Sequence, residues 1–184
     1  MFNLGTCYEA GEGVKKDSAT AFKYYSMAAN AGHADALYIV GSCYELGEGV
    51  EIELKKAIKF YKAAAALNHV RAMYNLGRLY YAGKGFSDVD YTEAVFWFTK
   101  AARLQSGEAE YNLAWHYQKG WGVAQDSKIA SQWLLRSARR GVIHAQHLLS
   151  YCYKFGDFGI ARDEKLFFKW CLKAAKGGHI EAQR

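Results

Sequence analysis

The sequence predicts an all-α protein, a right-handed α/α superhelical solenoid of about five helix–turn–helix repeats. Three observations predict it: a motif that returns about every 36 residues, apolar residues spaced by three and four in the second half of each unit, and paired glycines between the halves. A single helix pair cannot bury its apolar stripe alone, so stacked pairs are expected to share one continuous core.

The repeated motif is anchored by a tyrosine. LGTCYEAGEGV at 4–14 returns as VGSCYELGEGV at 40–50, LGRLYYAGKGF at 76–86, LAWHYQKGWGV at 113–123 and LSYCYKFGDFGI at 149–160. The anchor tyrosines are 36, 36, 37 and 36 residues apart, at Tyr8, Tyr44, Tyr80, Tyr117 and Tyr153. This spacing predicts a single repeat domain, 1–184, with units of approximately 1–36, 37–72, 73–109, 110–145 and 146–182. We expect the array to be incomplete at both ends.

Glycines and short polar residues mark where each helix begins and ends. The paired loop glycines are expected to adopt left-handed backbone angles that end the first helix of each unit. Helix N-caps are expected at Asp17, Asp90, Asp126 and Asp163, with Glu53 as a weaker substitute. The second helix is expected to close on Gly32, Asn68, Gly141 and Gly178. The third unit has Gln105 there, so we expect that turn to be reshaped.

A small residue follows the first residue of the motif in every repeat and predicts close approach of two helices. The position is filled by Gly5, Gly41, Gly77, Ala114 and Ser150. A bulky side chain there would force the helices apart, because a close-packed core has no spare volume.

The combined pattern LGxxYxxGxGVxxDxxxAxxYYxxAAxxGxxxA resembles the Sel-one-like repeat, a relative of the tetratricopeptide repeat, over essentially the whole chain. The resemblance implies a protein-interaction scaffold or adaptor. The fifth unit departs most from the pattern, because Ser150 replaces the glycine and Phe158 moves the second loop glycine to Gly159.

The sequence carries no recognisable catalytic or cofactor motif. It shows no Ser-His-Asp order, paired-carboxylate motif, phosphate loop or dinucleotide fingerprint, so we expect no enzyme activity and no cofactor. His33, His69 and His179 fall where the next helix begins, as turn residues. His144 and His147 have a spacing compatible with a metal, but no third ligand clusters with them, so no metal site is expected.

The cysteines indicate packing rather than a disulfide framework. Cys7, Cys43 and Cys152 share one position of the repeat with Leu79 and His116, which is typical of a buried site. Cys152 and Cys171 lie on facing helices of one unit, and their pairing stays an open alternative. The sequence shows no membrane-spanning run. It leaves the compartment open, and the lack of a visible signal peptide and of a regular disulfide framework favours a cytoplasmic setting.

The first helix of each unit is expected to line a concave groove, by extrapolation from tetratricopeptide arrays. Three columns, meaning equivalent positions in successive repeats, would face it. Counted from the first residue of the motif (Leu4, Val40, Leu76, Leu113 or Leu149), the first column, two residues before it, reads Phe2, Tyr38, Tyr74, Tyr111 and His147. The second column, two residues after it, reads Thr6, Ser42, Arg78, Trp115 and Tyr151. The third column, five residues after it, reads Glu9, Glu45, Tyr81, Gln118 and Lys154. As alternatives, the first column packs between repeats, and the other two are simply solvated.

Charge is unevenly distributed along the array. Residues 111–184 hold 12 Lys and Arg against 5 Asp and Glu, and residues 1–110 hold 12 against 13, so net charges of +7 and −1 make up the total of +6. An acidic end and a basic, aromatic end suit an extended peptide of complementary charge.

The leading hypothesis is therefore a non-catalytic scaffold that binds a peptide or protein segment in the groove. The alternative is binding of an anionic polymer, nucleic acid or acidic glycan, by cations of the last two repeats. Those cations are Lys128, Arg136, Arg139, Arg140, Lys165, Lys169, Lys173 and Lys176. Nucleic acid is the less favoured partner because such charges usually form a solvated face. Self-association through exposed repeat ends stays a further alternative.

Overall fold

The computed structural model describes residues 1–85, 88–178 and 182. The chain divides into two compact parts, each larger than one repeat, which are called unit 1 (residues 1–89) and unit 2 (residues 90–184) from here on. Over the described residues the chain forms ten α-helices and no strand. Unit 1 contains α1 (Phe2–Ala10), α2 (Ser18–Asn30), α3 (Ala34–Leu46), α4 (Leu54–Ala66) and α5 (Val70–Ala82). Unit 2 contains α6 (Tyr91–Arg103), α7 (Gly107–Lys119), α8 (Ser127–Arg139), α9 (Ile143–Phe155) and α10 (Glu164–Lys176).

Within each unit, every helix packs against the helix before and after it in the chain. Alanines of the second helices are fully buried where the helices meet, as at Ala57, Ala64, Ala130 and Ala138. In unit 2 the core is completed by larger apolar side chains, among them Leu134 and Leu149. None of the described helices has the length and apolarity needed to cross a membrane.

The helix boundaries follow from the capping chemistry predicted above. The carboxylates of Asp17, Asp90, Asp126 and Asp163 each accept a backbone N–H in the first turn of α2, α6, α8 and α10. Glu53 makes no such bond, and its carboxylate instead accepts from Lys56 Nζ at 2.6 Å. The four aspartate caps are therefore confirmed, and so is the expectation that Glu53 is a weaker cap.

The paired loop glycines are left-handed as predicted, with φ of 80° at Gly47 and 72° at Gly49, for example. The expectation of a reshaped turn at Gln105 is wrong. Gln105 has φ 68°, close to the 61° of Asn68, and the amide of the next residue bonds the carbonyl five residues back in both turns. The surrounding hydrogen bonds thus hold a side chain in a backbone region that favours glycine.

The predicted close approach of two helices is confirmed at the first two small residues. A Cβ built on Gly5 would lie 2.6 Å from Cε1 of Tyr25, and one on Gly41 would lie 2.7 Å from Cδ1 of Tyr61. Both tyrosine rings are buried. The absent side chain is therefore what lets α1 reach α2 and α3 reach α4.

Candidate functional site

In unit 1, two of the predicted groove residues bond each other. The carboxylate of Glu45 on α3 pairs with the guanidinium of Arg78 on α5. The same carboxylate accepts the Tyr61 hydroxyl at 2.8 Å, and the Asn75 amide donates to that hydroxyl at 3.1 Å. Burial and the neighbouring carboxylate both raise the pKa of Tyr61. The polar part of this surface is therefore a bonded network that joins α3, α4 and α5.

The first-column aromatics of unit 1 pack against histidines that cap the next helix. Tyr38 stacks on His69 with ring centroids 4.6 Å apart, and Phe2 stacks on His33 at the same distance. Each imidazole Nδ1 accepts a backbone N–H, from Ala72 at 3.2 Å for His69. Burial lowers the pKa of His69, which favours the neutral ring that this cap requires. The predicted turn role of these two histidines is thus an N-cap, and His179 lies outside the described residues.

The other predicted residues of unit 1 differ in how far they are exposed. Ser42 and Tyr74 are half-buried, and Tyr81 is exposed. Tyr38 is also half-buried, so the alternative of packing between repeats describes it well.

In unit 2, α7 contributes Tyr111, Trp115 and Gln118, and the last two lie beside the loop after α9. Trp115 packs edge-on against Phe158, with ring centroids 5.1 Å apart. Phe158 is buried in the core cluster although its φ is 53°, and Tyr111 packs against the same cluster. The Gln118 amide donates to Asp157 at 3.4 Å. The irregular fifth loop thus supports the α7 surface, which the sequence did not indicate.

The remaining three predicted residues, His147, Tyr151 and Lys154, line one cleft between α9 and α10. The cleft has a volume of about 450 Å³, and Phe155, Phe167 and Cys171 are among its other lining residues. Tyr151 is 50% exposed, and its ring lies 4.4 Å from that of Phe155. Lys154 Nζ lies 5.2 and 5.3 Å from the ring centroids of Phe155 and Phe167. Of the predicted columns, this is the part that forms a concave apolar site with a cation at its edge.

A buried ion cluster in unit 2 was missed by the sequence analysis. Glu110 is fully buried on α7, and its two oxygens accept from Arg136 Nε at 3.1 Å and Arg140 Nε at 2.9 Å. These arginines were assigned to an open basic face, and that assignment needs correction because both are bonded to Glu110. The sequence did contain a signal that Glu110 is buried, because apolar residues, Leu37 and Met73, occupy the equivalent position in the second and third repeats.

The cysteine column is a packing position, as predicted. Cys43 and Cys152 are buried, and burial raises their pKa values to about 11 and about 12. His116, in the same column, is buried among aromatic rings, and its Nδ1 lies 2.8 Å from the Trp121 carbonyl oxygen. All four cysteines are free thiols. Among the described residues, no three His, Cys, Asp or Glu side chains form a group that could hold a metal.

Comparison with known proteins identifies the family. The Sel1 repeat model matches residues 1–33, 34–69, 70–106, 107–142 and 143–179. The chain belongs to the Sel1 repeat family. The predicted all-α solenoid class is thereby confirmed. Sel1 repeat proteins generally act as protein-interaction scaffolds and are typically non-catalytic.

Solved structures show the same kinship. A Sel1 repeat protein from Oxalobacter formigenes is 33% identical with a TM-score of 0.90, and the match covers 98% of this chain and 71% of that one. The protective antigen c5321 of uropathogenic Escherichia coli is 27% identical with a TM-score of 0.68, over 99% of this chain and 46% of that one. Cysteine-rich protein B of Helicobacter pylori is 26% identical with a TM-score of 0.57, over 76% and 99%. No match was found among curated proteins.

Proposed function

We propose that this Sel1 repeat chain is a non-catalytic scaffold that binds a peptide or protein segment along the first-helix faces of its repeats. In unit 1 these faces are carried by α3 and α5, and in unit 2 by α7 and α9. The observation that carries the proposal is the cleft between α9 and α10, because three of the predicted groove residues line it together.

The cleft has the properties of a recognition site for one or two side chains. Its volume of about 450 Å³ lies within the range of sites that enclose small ligands, roughly 300–1,000 Å³. Aromatic rings form much of its wall, and large aromatic side chains dominate the energetics of protein interfaces. Lys154 adds a charge at the edge, where it can orient a bound segment.

Binding of an anionic polymer gains no comparable support. Two of the cations assigned to that face, Arg136 and Arg140, are committed to the buried carboxylate of Glu110. Lys173 lies over the Trp170 ring at 4.6 Å. We therefore retain peptide binding as the proposed function.

A selection of displayed random peptides against the purified chain tests the proposal. The selected peptides are measured against the wild type, a Tyr151→Ala/Lys154→Ala variant, and a Lys128→Ala/Gln132→Ala control on the exposed side of α8. We expect peptides that lose at least tenfold in affinity with the α9 variant and none with the control. If every selected peptide binds all three proteins equally, the proposed site is wrong.

A further inference from the structure

The fifth repeat lacks an aromatic ring at a position where the first two repeats have one. Eight residues after the N-cap of the second helix stand Tyr25, Tyr61, Phe98, Leu134 and Cys171. In the first two repeats this ring lies directly over the glycine of the preceding helix, at 2.6 and 2.7 Å from where a Cβ would be. Cys171 is too short to occupy the same volume.

The α9/α10 cleft lies at this place. Cys171 lines it, and so does Ser150, which stands in the column of Gly5 and Gly41. Ala182 lines it as well, and its carbonyl oxygen accepts from the Cys171 thiol at 3.8 Å. Four residues before Cys171, Phe167 replaces the alanine found in the other four repeats and forms a wall of the cleft. No described side chain of the fifth repeat fills the space that an internal tyrosine fills in the first two repeats.

The charge beside this space is reversed as well. The hydroxyls of Tyr25 and Tyr61 donate to Glu9 and Glu45, at 2.6 and 2.8 Å. The fifth repeat has Lys154 in the column of these two glutamates, and Lys154 lines the cleft. None of the described residues that line the cleft is acidic. An ammonium group thus replaces a carboxylate at the edge of the vacated ring position.

We propose that the cleft takes an aromatic side chain of a partner peptide, with an acidic residue next to it whose carboxylate pairs with Lys154. This inference rests on the proposed function and specifies its partner. The bound ring would stack among Tyr151, Phe155 and Phe167, in the offset or edge-on arrangements that aromatic groups prefer. The carboxylate would meet a lysine in a basic half of the chain, so charge complementarity favours this segment over a basic one.

Peptide arrays with random flanks test the chemistry. The central pair is Phe-Asp or Asp-Phe, and matched arrays replace Phe by Ala or Asp by Lys. We expect the Phe/Asp peptides to bind at least tenfold more tightly than either replacement. Lys154→Gln should remove the preference for Asp over Lys while keeping the preference for Phe, whereas Lys128→Gln should change neither.

A variant that fills the cleft gives a second test. The double variant Ser150→Gly/Cys171→Tyr restores the glycine and the tyrosine of the first two repeats, and it should abolish binding of the Phe/Asp peptides while circular dichroism reports an unchanged helix content. Cys171→Leu, which copies Leu134 of the fourth repeat, fills part of the same space and should weaken binding, so it provides the test should the double variant not fold. Bound peptide should also slow alkylation of the Cys171 thiol and not that of Cys7, which is partly exposed in unit 1.

The outcomes separate this inference from the proposed function. Peptides that depend on Tyr151 and Lys154 but contain no aromatic–acidic pair would overturn the inference and leave the scaffold proposal standing. Failure of every peptide to depend on these residues would overturn both. Unchanged binding by the folded Ser150→Gly/Cys171→Tyr variant would place the aromatic side chain elsewhere and overturn the inference.

Discussion

Replacement of Gly41 by alanine should destabilise unit 1 through one steric conflict. The added Cβ would lie 2.7 Å from Cδ1 and 2.8 Å from Cε1 of Tyr61, and 3.3 Å from the backbone oxygen of Ala57. The tyrosine cannot swing aside, because its ring is fully buried and its hydroxyl is bonded to Glu45 and Asn75.

The expected magnitude combines two opposing effects. Overpacking of a rigid core costs about 3 kcal/mol at its upper end. Alanine is a better helix former than glycine by about 1 kcal/mol. The difference leaves the variant about 2 kcal/mol less stable, which lowers the melting temperature of a chain of this length by about 4–8 °C.

Circular dichroism at the helix band is the appropriate assay. All five tryptophans lie in unit 2, so tryptophan fluorescence would not report on the mutated unit. The matched control is the double variant Gly41→Ala/Tyr61→Leu, which copies the Ala114 and Leu134 found in the fourth repeat. The double variant should be no less stable than Tyr61→Leu alone. A Gly41→Ala variant as stable as the wild type would refute the steric argument.

Four further changes test other parts of the account by thermal or urea unfolding. Gln105→Gly should stabilise the chain by about 1 kcal/mol because glycine adopts φ 68° without strain, and an unchanged stability would contradict this. Glu53→Asp should gain about 0.5–1 kcal/mol by supplying the missing cap, whereas a loss would show that the exposed pair with Lys56 matters more. Folding lowers the pKa of His69, so the wild type should lose stability as the pH falls below the unfolded-state pKa of about 6.5. Between pH 7.5 and about 5, the free energy of unfolding of His69→Ser should fall by less than that of the wild type. Glu110→Ala should cost about 3 kcal/mol and Glu110→Leu much less, because leucine restores the apolar residue type of its column; equal losses would argue against this.

Local chemistry made much of this fold predictable. Helix caps and paired glycines act within a few positions of the chain, and the small residues recur at one place in every repeat, so a sequence pattern specifies both. The four aspartate caps and the close approach at Gly41 were predicted for this reason. Gln105 was mispredicted because hydrogen bonds of the turn, made by its neighbours, outweigh the preference of its own side chain.

Features that depend on distant partners were not predictable from the sequence. Glu110 is bonded to arginines 26 and 30 positions later, on and just after the neighbouring helix. The pairing of Glu45 with Arg78 likewise joins two residues 33 positions apart that were expected to face a partner separately. Phe158 was recognised as an irregularity, but only packing shows that it supports Trp115.

The predicted groove residues differ in what the structure lets them do. In unit 1, Glu45 and Arg78 are bonded to each other and Tyr38 stacks on a helix cap. In unit 2, Tyr151 and Lys154 border a cleft that no described side chain fills. The sequence columns could not separate these cases, because equivalent positions carry different neighbours in each repeat. The fifth repeat is consequently where binding is best tested.

The most direct test of the central claim is an amide chemical-shift titration of the isotope-labelled chain with a selected peptide that depends on Tyr151 and Lys154. The account predicts that the perturbed amides cluster around His147, Tyr151 and Lys154 on α9 and around Cys171 on α10. Perturbations concentrated on the exposed side of α8, with the amides of α9 and α10 unchanged, would contradict it.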